Sequence, residues 1–237
     1  MKKPTFRLLA LACALLSGCN PNYYIPNTQN APLISAKGET NLTVSGNANQ
    51  VEFQGAYGAG NNFAIQLNGG LMRPKDQENG DGGSGKFVEA GLGYFKPLQN
   101  NFVFETYGLF GLGSVENHFP SATTATINSG KISANLMRYG IQPVIGYKSK
   151  YFSVAGSARV VNLNYSNISG NLIYQNEDQR TYLENHKSNF LIEPALTLRG
   201  GIEKVKIQLQ FVKSLNLSDS DFKQDSEMMT VGLNFKF

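Results

Sequence analysis

Charged side chains that could do chemistry recur along this chain at alternate positions, not in one compact motif. Four glutamates and five basic residues share this polar face: Glu52, Glu89, Glu105, Arg138, Arg159, Glu193, Arg199, Lys204 and Lys206. Apolar residues occupy the intervening positions, as in Val205, Ile207, Leu209 and Phe211. Charges of both signs on one face can pair as an internal network, line a narrow passage or supply a catalytic carboxylate pair. We expect the internal network, facing the lumen of a barrel.

The two histidines are weak candidates for a metal site. His118 and His186 fall in long predicted loops beside Glu116 and Glu184, but no third ligand is spaced to complete a site. The acidic residues of loop 73–85 do not match the alternate ligand positions of a calcium loop. The chain also lacks a P-loop, a GxSxG elbow and an HExxH helix. We therefore predict no catalytic residues, no metal and no cofactor.

A period of two residues is the signature of a strand with two different faces, and here it predicts an all-β fold. Ten candidate strands lie near 39–46, 50–58, 62–72, 86–95, 102–115, 131–148, 151–164, 189–200, 203–213 and 227–237. The sixth strand shows a change of phase near Leu136, which indicates a bulge. Most strands have the roughly 9–11 residues that a tilted transmembrane strand needs. We predict a closed antiparallel up-and-down transmembrane β-barrel of about ten strands, with eight as the alternative.

The connections alternate between short and long, which is typical of bacterial outer-membrane barrels with short periplasmic turns. The long ones are 73–85, 116–130, 165–188 and 214–226, and the longest is the first candidate to bind an extracellular ligand, whose nature stays unknown. Alternation alone does not separate a membrane barrel from a soluble barrel with an apolar pocket. Lipid outside is favoured because aromatic residues gather near the periplasmic ends of the strands and the chain ends in a strand, on Phe237.

The amino terminus has the features of an export signal. Three basic residues precede the apolar run 8–16, which is too short to span a membrane as a helix. Leu16-Ser17-Gly18-Cys19 resembles a bacterial lipobox, which implies cleavage before Cys19 and acylation of that residue. The predicted organisation is a signal peptide at 1–18, a lipid-anchored linker at 19–38 that prolines interrupt, and a barrel at 39–237. Removing the signal leaves 18 basic against 17 acidic residues, so the charge gives no indication of nucleic-acid binding.

Three motifs together resemble the small outer-membrane β-barrel lipoproteins of Bacteroidota: Cys19-Asn20-Pro21-Asn22, Tyr24-Ile25-Pro26-Asn27 and Asn234-Phe235-Lys236-Phe237. The resemblance implies location in the outer membrane of a Gram-negative cell, contact with its lipid, and passage through the lipoprotein-sorting and barrel-assembly machineries. Phe237 would be part of the assembly signal. No acidic cluster follows Cys19. Because surface-export signals in that phylum tend to be acidic there, the resemblance implies palmitate and other acyl chains in the periplasmic leaflet, with the amino terminus on the periplasmic side.

These observations favour a non-enzymatic role, structural or through interactions of the outer loops. The first alternative is a narrow pore for small solutes, and the second is an integral outer-membrane hydrolase. A soluble lipoprotein with a closed, ligand-binding barrel is a further alternative.

Overall fold

A computed structural model describes residues 21–73, 81–119 and 129–237. The predicted signal peptide and Cys19 lie outside these ranges. In the described ranges, no helix has the length and apolar character to cross a membrane.

Ten antiparallel strands form one closed sheet. They are β1 (Thr40–Gly46), β2 (Gln50–Gly58), β3 (Phe63–Met72), β4 (Gly82–Pro97), β5 (Phe102–Phe119), β6 (Gly130–Lys148), β7 (Phe152–Gly170), β8 (Ser188–Gly201), β9 (Val205–Lys213) and β10 (Glu227–Lys236). Each strand pairs with its neighbours in the chain, and β10 closes the barrel by pairing with β1. The prediction of a closed ten-stranded antiparallel barrel is confirmed.

The two ends of the barrel differ. Connections 59–62, 98–101, 149–151 and 202–204 form the short-turn end, where a 3-10 turn spans Gln99–Asn101. The opposite, long-loop end carries 171–187 and 214–226, together with the tight turn 47–49. At this end β3 ends at Met72, β4 begins at Gly82, β5 ends at Phe119 and β6 begins at Gly130. Helix α1 (Gln179–Asn185) and the two-residue strands Ile173–Tyr174, Glu177–Asp178 and Leu215–Asn216 belong to this end.

The wall is higher at the long-loop end than the sequence indicated. β4 begins at Gly82, β5 continues to Phe119 and β7 continues to Gly170, so parts of three predicted loops are strand. Glycine is depleted in strands, so the composition of residues 82–85 predicts a loop. In the structure these residues pair with the upper part of β5, from His118 down to Val115.

The predicted change of phase in the sixth strand does not occur. β6 keeps one alternation throughout, and Ile132, Ala134 and Leu136 face inward like Arg138 below them. The pattern changes because the inner face turns from polar to apolar near the long-loop end. The pairing of β6 with β7 does shift by one residue, between Ser133 and Asn135 of β6. The extra residue is in β7, where Asn167 has a positive φ of 52°.

The strands are inside-out compared with those of a soluble barrel. In β9, Lys206, Gln208 and Gln210 are buried. The alternating residues Ile207 and Phe211 are 59% and 45% exposed. The same arrangement repeats around the sheet, so the apolar face points outward and does not form an internal pocket. At the short-turn end the outward side chains include an aromatic group: Tyr57, Phe63, Tyr94, Phe102, Tyr147 and Phe152.

Residues 21–38 are here called the lumenal segment, and most of them, from Pro21 to Ile34, run through the inside of the barrel. The sequence had indicated a spacer outside the folded body, but the chain is buried almost continuously from Pro21 to Ile34. Prolines fix φ and lack an N–H donor, so Pro21, Pro26 and Pro32 keep the segment out of the strand ladder. The absence of any charged residue between positions 21 and 36 removes the main cost of burying it.

Candidate functional site: the filled lumen

A chain of four alternating charges, here called the charge chain, crosses the middle of the lumen. Nε and Nη2 of Arg138 both lie 2.8 Å from Oε2 of Glu89. The next member, Arg159, has Nη1 3.9 Å from Oε1 of Glu89 and Nη2 2.6 Å from Oε2 of Glu193. All four side chains are almost fully buried. A buried charge is stable only when paired and hydrogen-bonded, and here each one has partners of opposite sign.

The charge chain holds the upper part of the lumenal segment. The hydroxyl of Tyr24 donates to Oε1 of Glu193 at 2.8 Å and accepts from Nη1 of Arg138 at 3.3 Å. Nη1 of Arg138 also donates to the side-chain oxygen of Asn27 at 2.5 Å. Nη2 of Arg159 donates to the backbone carbonyl of Asn27 at 3.2 Å. The wall charges therefore act as hydrogen-bonding partners for the segment as well as for one another.

Carboxylate and amide side chains of β2 and β9 bind the next residues through their backbone. Glu52 accepts from the backbone N–H of Thr28 at 2.9 Å and from the Thr28 hydroxyl. Gln54 donates to the carbonyl of Thr28 at 3.0 Å. Gln210 bonds Gln29 in both directions, accepting from its N–H at 2.6 Å and donating to its carbonyl at 2.8 Å. These bonds replace the ladder partners that an extended backbone would otherwise need.

Closer to the short-turn end, cations bind the carbonyls of the segment and one carboxylate binds its amides. Arg199 donates to the carbonyl of Ala31 at 2.8 Å. The two oxygens of Glu105 accept separately from the N–H of Leu33 at 2.9 Å and of Ile34 at 2.8 Å. Lys148 donates to the carbonyl of Leu33 at 2.7 Å. Paired acceptance of consecutive N–H groups fixes the segment in one register against β5.

Two wall glycines make room for the lower part of the segment. A Cβ at Gly146 would lie 2.6 Å from a methyl carbon of Leu33, and one at Gly58 would lie 2.4 Å from the carbonyl oxygen of Ala36. Leu33 packs with Ala31 and with small or branched wall residues, and Ile34 packs in a second buried cluster. A side chain at either glycine would collide with the segment, so the wall is shaped to contain it.

The long-loop mouth is closed by an aromatic cap made of Tyr23, Tyr165, Tyr182 and Phe222. Tyr23 stacks on Tyr182 with ring centroids 5.8 Å apart, and Phe222 contacts Tyr165 at 6.0 Å. Tyr182 is presented by α1, whose first turn is capped by the Asp178 side chain. The longest predicted loop therefore folds over the mouth of the barrel through its residues 171–187.

Ionisable groups at the two ends of the lumen have shifted pKa values. Burial raises the pKa of Asp225, although the Asn22 amide hydrogen bond opposes the shift. The hydrogen bond from Lys223 lowers the pKa of Glu177. At the short-turn end, burial alone would raise the pKa of Glu39. The nearby ammonium groups, Lys148 above all, instead hold that pKa below its usual value.

The structure brings together most of the charged residues of the polar face. Eight of the nine are buried in the lumen, and Lys204 is the exception. It is exposed on turn 202–204 because β9 begins only at Val205. Phe237 lies at the closing seam, where its backbone exchanges hydrogen bonds of 2.9 and 3.0 Å with Thr40. Cys19 lies outside the described residues.

The structure does not bring the two histidines into a common site. His118 belongs to β5, opposite Gly82 and Lys131. His186 follows α1, with Nε2 3.3 Å from a carboxylate oxygen of Asp219. Among the described residues, no group of three or more His, Cys, Asp or Glu side chains is arranged to hold a metal.

The sequence interpretation missed the main partner of the polar face, which is the lumenal segment. One signal was present. The segment contains three Asn residues, Thr28 and Gln29, has no charged residue from Pro21 to Ala36, and immediately precedes a barrel whose inner face carries charges of both signs. Such a composition can satisfy buried charges by hydrogen bonding without adding another one.

No protein-family model and no curated protein matches this chain. Solved structures that are similar to it at low identity include these three proteins. A major outer membrane protein from Thermus thermophilus is 11% identical with a TM-score of 0.38, covering 84% of this chain and 98% of its own. The translocator domain of autotransporter NalP from Neisseria meningitidis is 11% identical with a TM-score of 0.43, covering 84% and 87%. LpxR from Salmonella typhimurium is 10% identical with a TM-score of 0.34, covering 84% and 99%. At these identities and TM-scores, the similarity supports no inference about function.

Proposed function

We propose that this protein is a sealed outer-membrane barrel, anchored additionally by acylated Cys19, that acts without catalysis through its long-loop end. Residues 1–18 would be removed as a signal peptide. The long-loop end faces outside the cell and the short-turn end faces the periplasm. Membrane lipid contacts the apolar wall, and the lipoprotein-sorting and barrel-assembly machineries deliver the chain. The origin in Bacteroidota belongs to this proposal.

The observation that carries the membrane assignment is the inside-out alternation. Large apolar side chains are exposed all around the wall, among them Leu67, Leu92 and Ile141 at 54%, 61% and 57%. In water such a continuous apolar surface is unfavourable, whereas a lipid bilayer accepts it. A closed barrel also pairs its strand edges, which a membrane-spanning sheet requires.

The filled lumen favours a structural or interaction role over a pore. Ten strands are near the number at which wall side chains alone fill a barrel. Here the lumenal segment adds a further chain, held by Glu52, Glu105 and Arg199 and by the charge chain. The same contacts argue against a lumenal carboxylate pair working in catalysis, since those carboxylates are committed to the segment and to arginines.

The long-loop end is the surface offered to partners. Loop 171–187 is folded by α1 and by the aromatic cap, so it presents a fixed surface. Its exposed side includes Arg180 and Glu184, whose charged atoms are 3.0 Å apart. A preformed surface of this kind avoids the ordering cost that a free hairpin would incur on binding.

Planar-bilayer conductance of the purified full-length protein tests the seal. We expect no conductance steps from the full-length protein. A variant lacking residues 22–34 should give steps, with heat-dependent gel mobility confirming that its barrel is closed. Steps of comparable size from the full-length protein would overturn the sealed barrel and restore the pore.

The anchor is tested separately. Cys19→Ser should abolish incorporation of labelled palmitate while leaving heat-dependent gel mobility unchanged, because the barrel does not depend on the acyl group for closure. Continued incorporation would show that lipid is attached elsewhere or that the lipobox is not used.

A further inference from the structure

The lumenal segment has a definite direction, which can be measured along one strand. Near the start of β5, Glu105 binds the N–H groups of Leu33 and Ile34. Near the end of β5, Asn117 accepts from the N–H of Asn22 at 3.0 Å and donates to its carbonyl at 2.9 Å. Twelve residues separate these two positions, roughly 40 Å along a strand at about 3.3 Å per residue. The segment therefore runs from the short-turn end at Ile34 to the long-loop end at Asn22.

The first and last residues of the barrel wall lie at the short-turn end, whereas Asn22 lies at the long-loop end. Thr40 and Phe237 exchange backbone hydrogen bonds where β1 starts and the chain finishes. Between Ile34 and Thr40 the chain reverses, with Gly38 at a φ of 86° and its N–H donating to the carbonyl of Gly58 at 2.8 Å. The reversal places the junction between segment and wall beside the short turns.

The outer end of the segment is fixed to the long loops by several independent bonds. Tyr23 donates its N–H to the carbonyl of Lys223 at 2.9 Å, and Asp225 donates its N–H to the carbonyl of Tyr24 at 2.9 Å. The Asn22 side chain donates to a carboxylate oxygen of Asp225 at 2.6 Å. The Tyr165 hydroxyl donates to the carbonyl of Tyr23 at 2.7 Å. These hydrogen bonds fix the start of the segment at the long-loop mouth.

Cys19 is only two residues before Pro21, the first described residue. Two residues of fully extended chain span at most about 7 Å, whatever their conformation. That reach is far shorter than the roughly 40 Å along β5 between Glu105 and Asn117. A chain that passes Pro21 at the long-loop mouth cannot reach the short-turn end within two residues.

We propose that the amino terminus of the mature protein emerges at the cell surface, so that the acyl chains of Cys19 enter the outer leaflet of the membrane. This proposal rests on the proposed function for the orientation of the barrel, and it goes beyond that function by assigning the anchor to a leaflet. It replaces the expectation of a periplasmic anchor, which came from the missing acidic cluster after Cys19. The acyl chains insert into the hydrocarbon of the leaflet that is nearest to the long-loop mouth.

Single cysteines and a membrane-impermeant maleimide on intact Gram-negative cells test this assignment. The variants are Asn20→Cys beside the anchor, Gln175→Cys on the long-loop end and Lys150→Cys on the short-turn end. The parent protein is the baseline, since an acylated Cys19 has no free thiol. A short epitope inserted between Asn20 and Pro21, detected by antibody on intact cells, gives a second readout if a single cysteine reacts poorly in the folded mouth.

The expected result is that Asn20→Cys and Gln175→Cys label equally before and after permeabilisation, whereas Lys150→Cys labels only after it. If Gln175→Cys labels on intact cells while Asn20→Cys and the epitope stay hidden until permeabilisation, the surface anchor is wrong and the proposed orientation survives. If Lys150→Cys labels on intact cells and Gln175→Cys does not, the orientation itself is wrong. Labelling of the parent protein would contradict the acylated thiol.

Discussion

Replacing Glu105 with glutamine should loosen the lumenal segment without opening the barrel wall. Glu105 is fully buried, and its two oxygens accept from the N–H groups of Leu33 and Ile34 at 2.9 and 2.8 Å. The Tyr107 hydroxyl donates to one of the same oxygens at 2.9 Å. Glutamine has nearly the same shape, but one of its two polar atoms is a donor. One backbone N–H of the segment would therefore face a donor and lose its acceptor.

The size of the effect follows from these bonds. A hydrogen bond to a charged group contributes about 1.5–3 kcal/mol, and a buried N–H left without a partner costs about 1–3 kcal/mol. Burying one charge fewer offsets part of this loss. We expect the opening free energy of the segment to fall by about 2–3 kcal/mol, which corresponds to roughly 30- to 150-fold faster amide exchange at tenfold per 1.4 kcal/mol.

Hydrogen–deuterium exchange with mass spectrometry, on protein reconstituted in lipid nanodiscs, measures this directly. Peptides covering Leu33 and Ile34 should exchange faster in Glu105→Gln, while peptides from the paired strands β9 and β10 should be unchanged. Glu203→Gln is the matched control, since the side chain of Glu203 is 67% exposed and 3.6 Å from Lys150 on a turn. Equal exchange of the segment in both variants would refute the inference that a lumenal carboxylate holds it in place.

Three further outcomes are expected. Leu67→Arg, in the exposed apolar belt of β3, should lower the stability of the barrel in lipid vesicles by about 2–4 kcal/mol in urea titrations. Leu217→Arg, on the exposed long-loop end, should leave it unchanged, and equal effects would argue against a lipid-facing wall. The lowered pKa of Glu39 means that its pairing with Lys148 stabilises the fold above the unfolded pKa of about 4.3 and is lost as pH falls through the lower folded pKa. The melting temperature should therefore fall more steeply as the pH is lowered in the parent protein than in Glu39→Gln. Parallel curves of melting temperature against pH would contradict the pairing. Deleting Phe237 should reduce the heat-modifiable, surface-located fraction if the closing strand carries the proposed assembly signal; normal levels would refute this.

The ten strands and their closure could be predicted from the sequence because strand alternation is a local property. Lys206, Ile207 and Gln208 point to opposite faces by backbone geometry alone, so a uniform polar–apolar pattern fixes both the strand and the two environments. The even number of strands then follows by counting. Errors occurred where local composition opposed the fold, as at Gly82 in β4, or where a strand boundary moved by two residues, as at Lys204 beside β9.

The position of the lumenal segment could not be predicted in the same way, because nothing periodic specifies it. Its backbone bonds go to side chains that are distant in sequence: Thr28 to Glu52, Leu33 to Glu105, and Ala31 to Arg199. Each of these wall residues lies on the polar face and is buried. Their shared partner was missed because prolines in a stretch before a folded body usually indicate a spacer, and no rule of spacing connects a proline-rich stretch to charges on separate strands.

The composition of the segment is explained by the charge balance that surrounds it. The inner wall carries four carboxylates, Glu52, Glu89, Glu105 and Glu193. It also carries four cations, Arg138, Arg159, Arg199 and Lys206. A charged plug would leave one of these sets with an excess, and an uncompensated buried charge is strongly destabilising. A plug with only apolar side chains would remove the hydrogen bonds that Tyr24 and Asn27 make to the charge chain. The part of the segment from Pro21 to Ala36 is uncharged, and its peptide groups and Asn, Gln and Thr side chains both donate and accept, so it satisfies each sign locally within a lumen lined with charge.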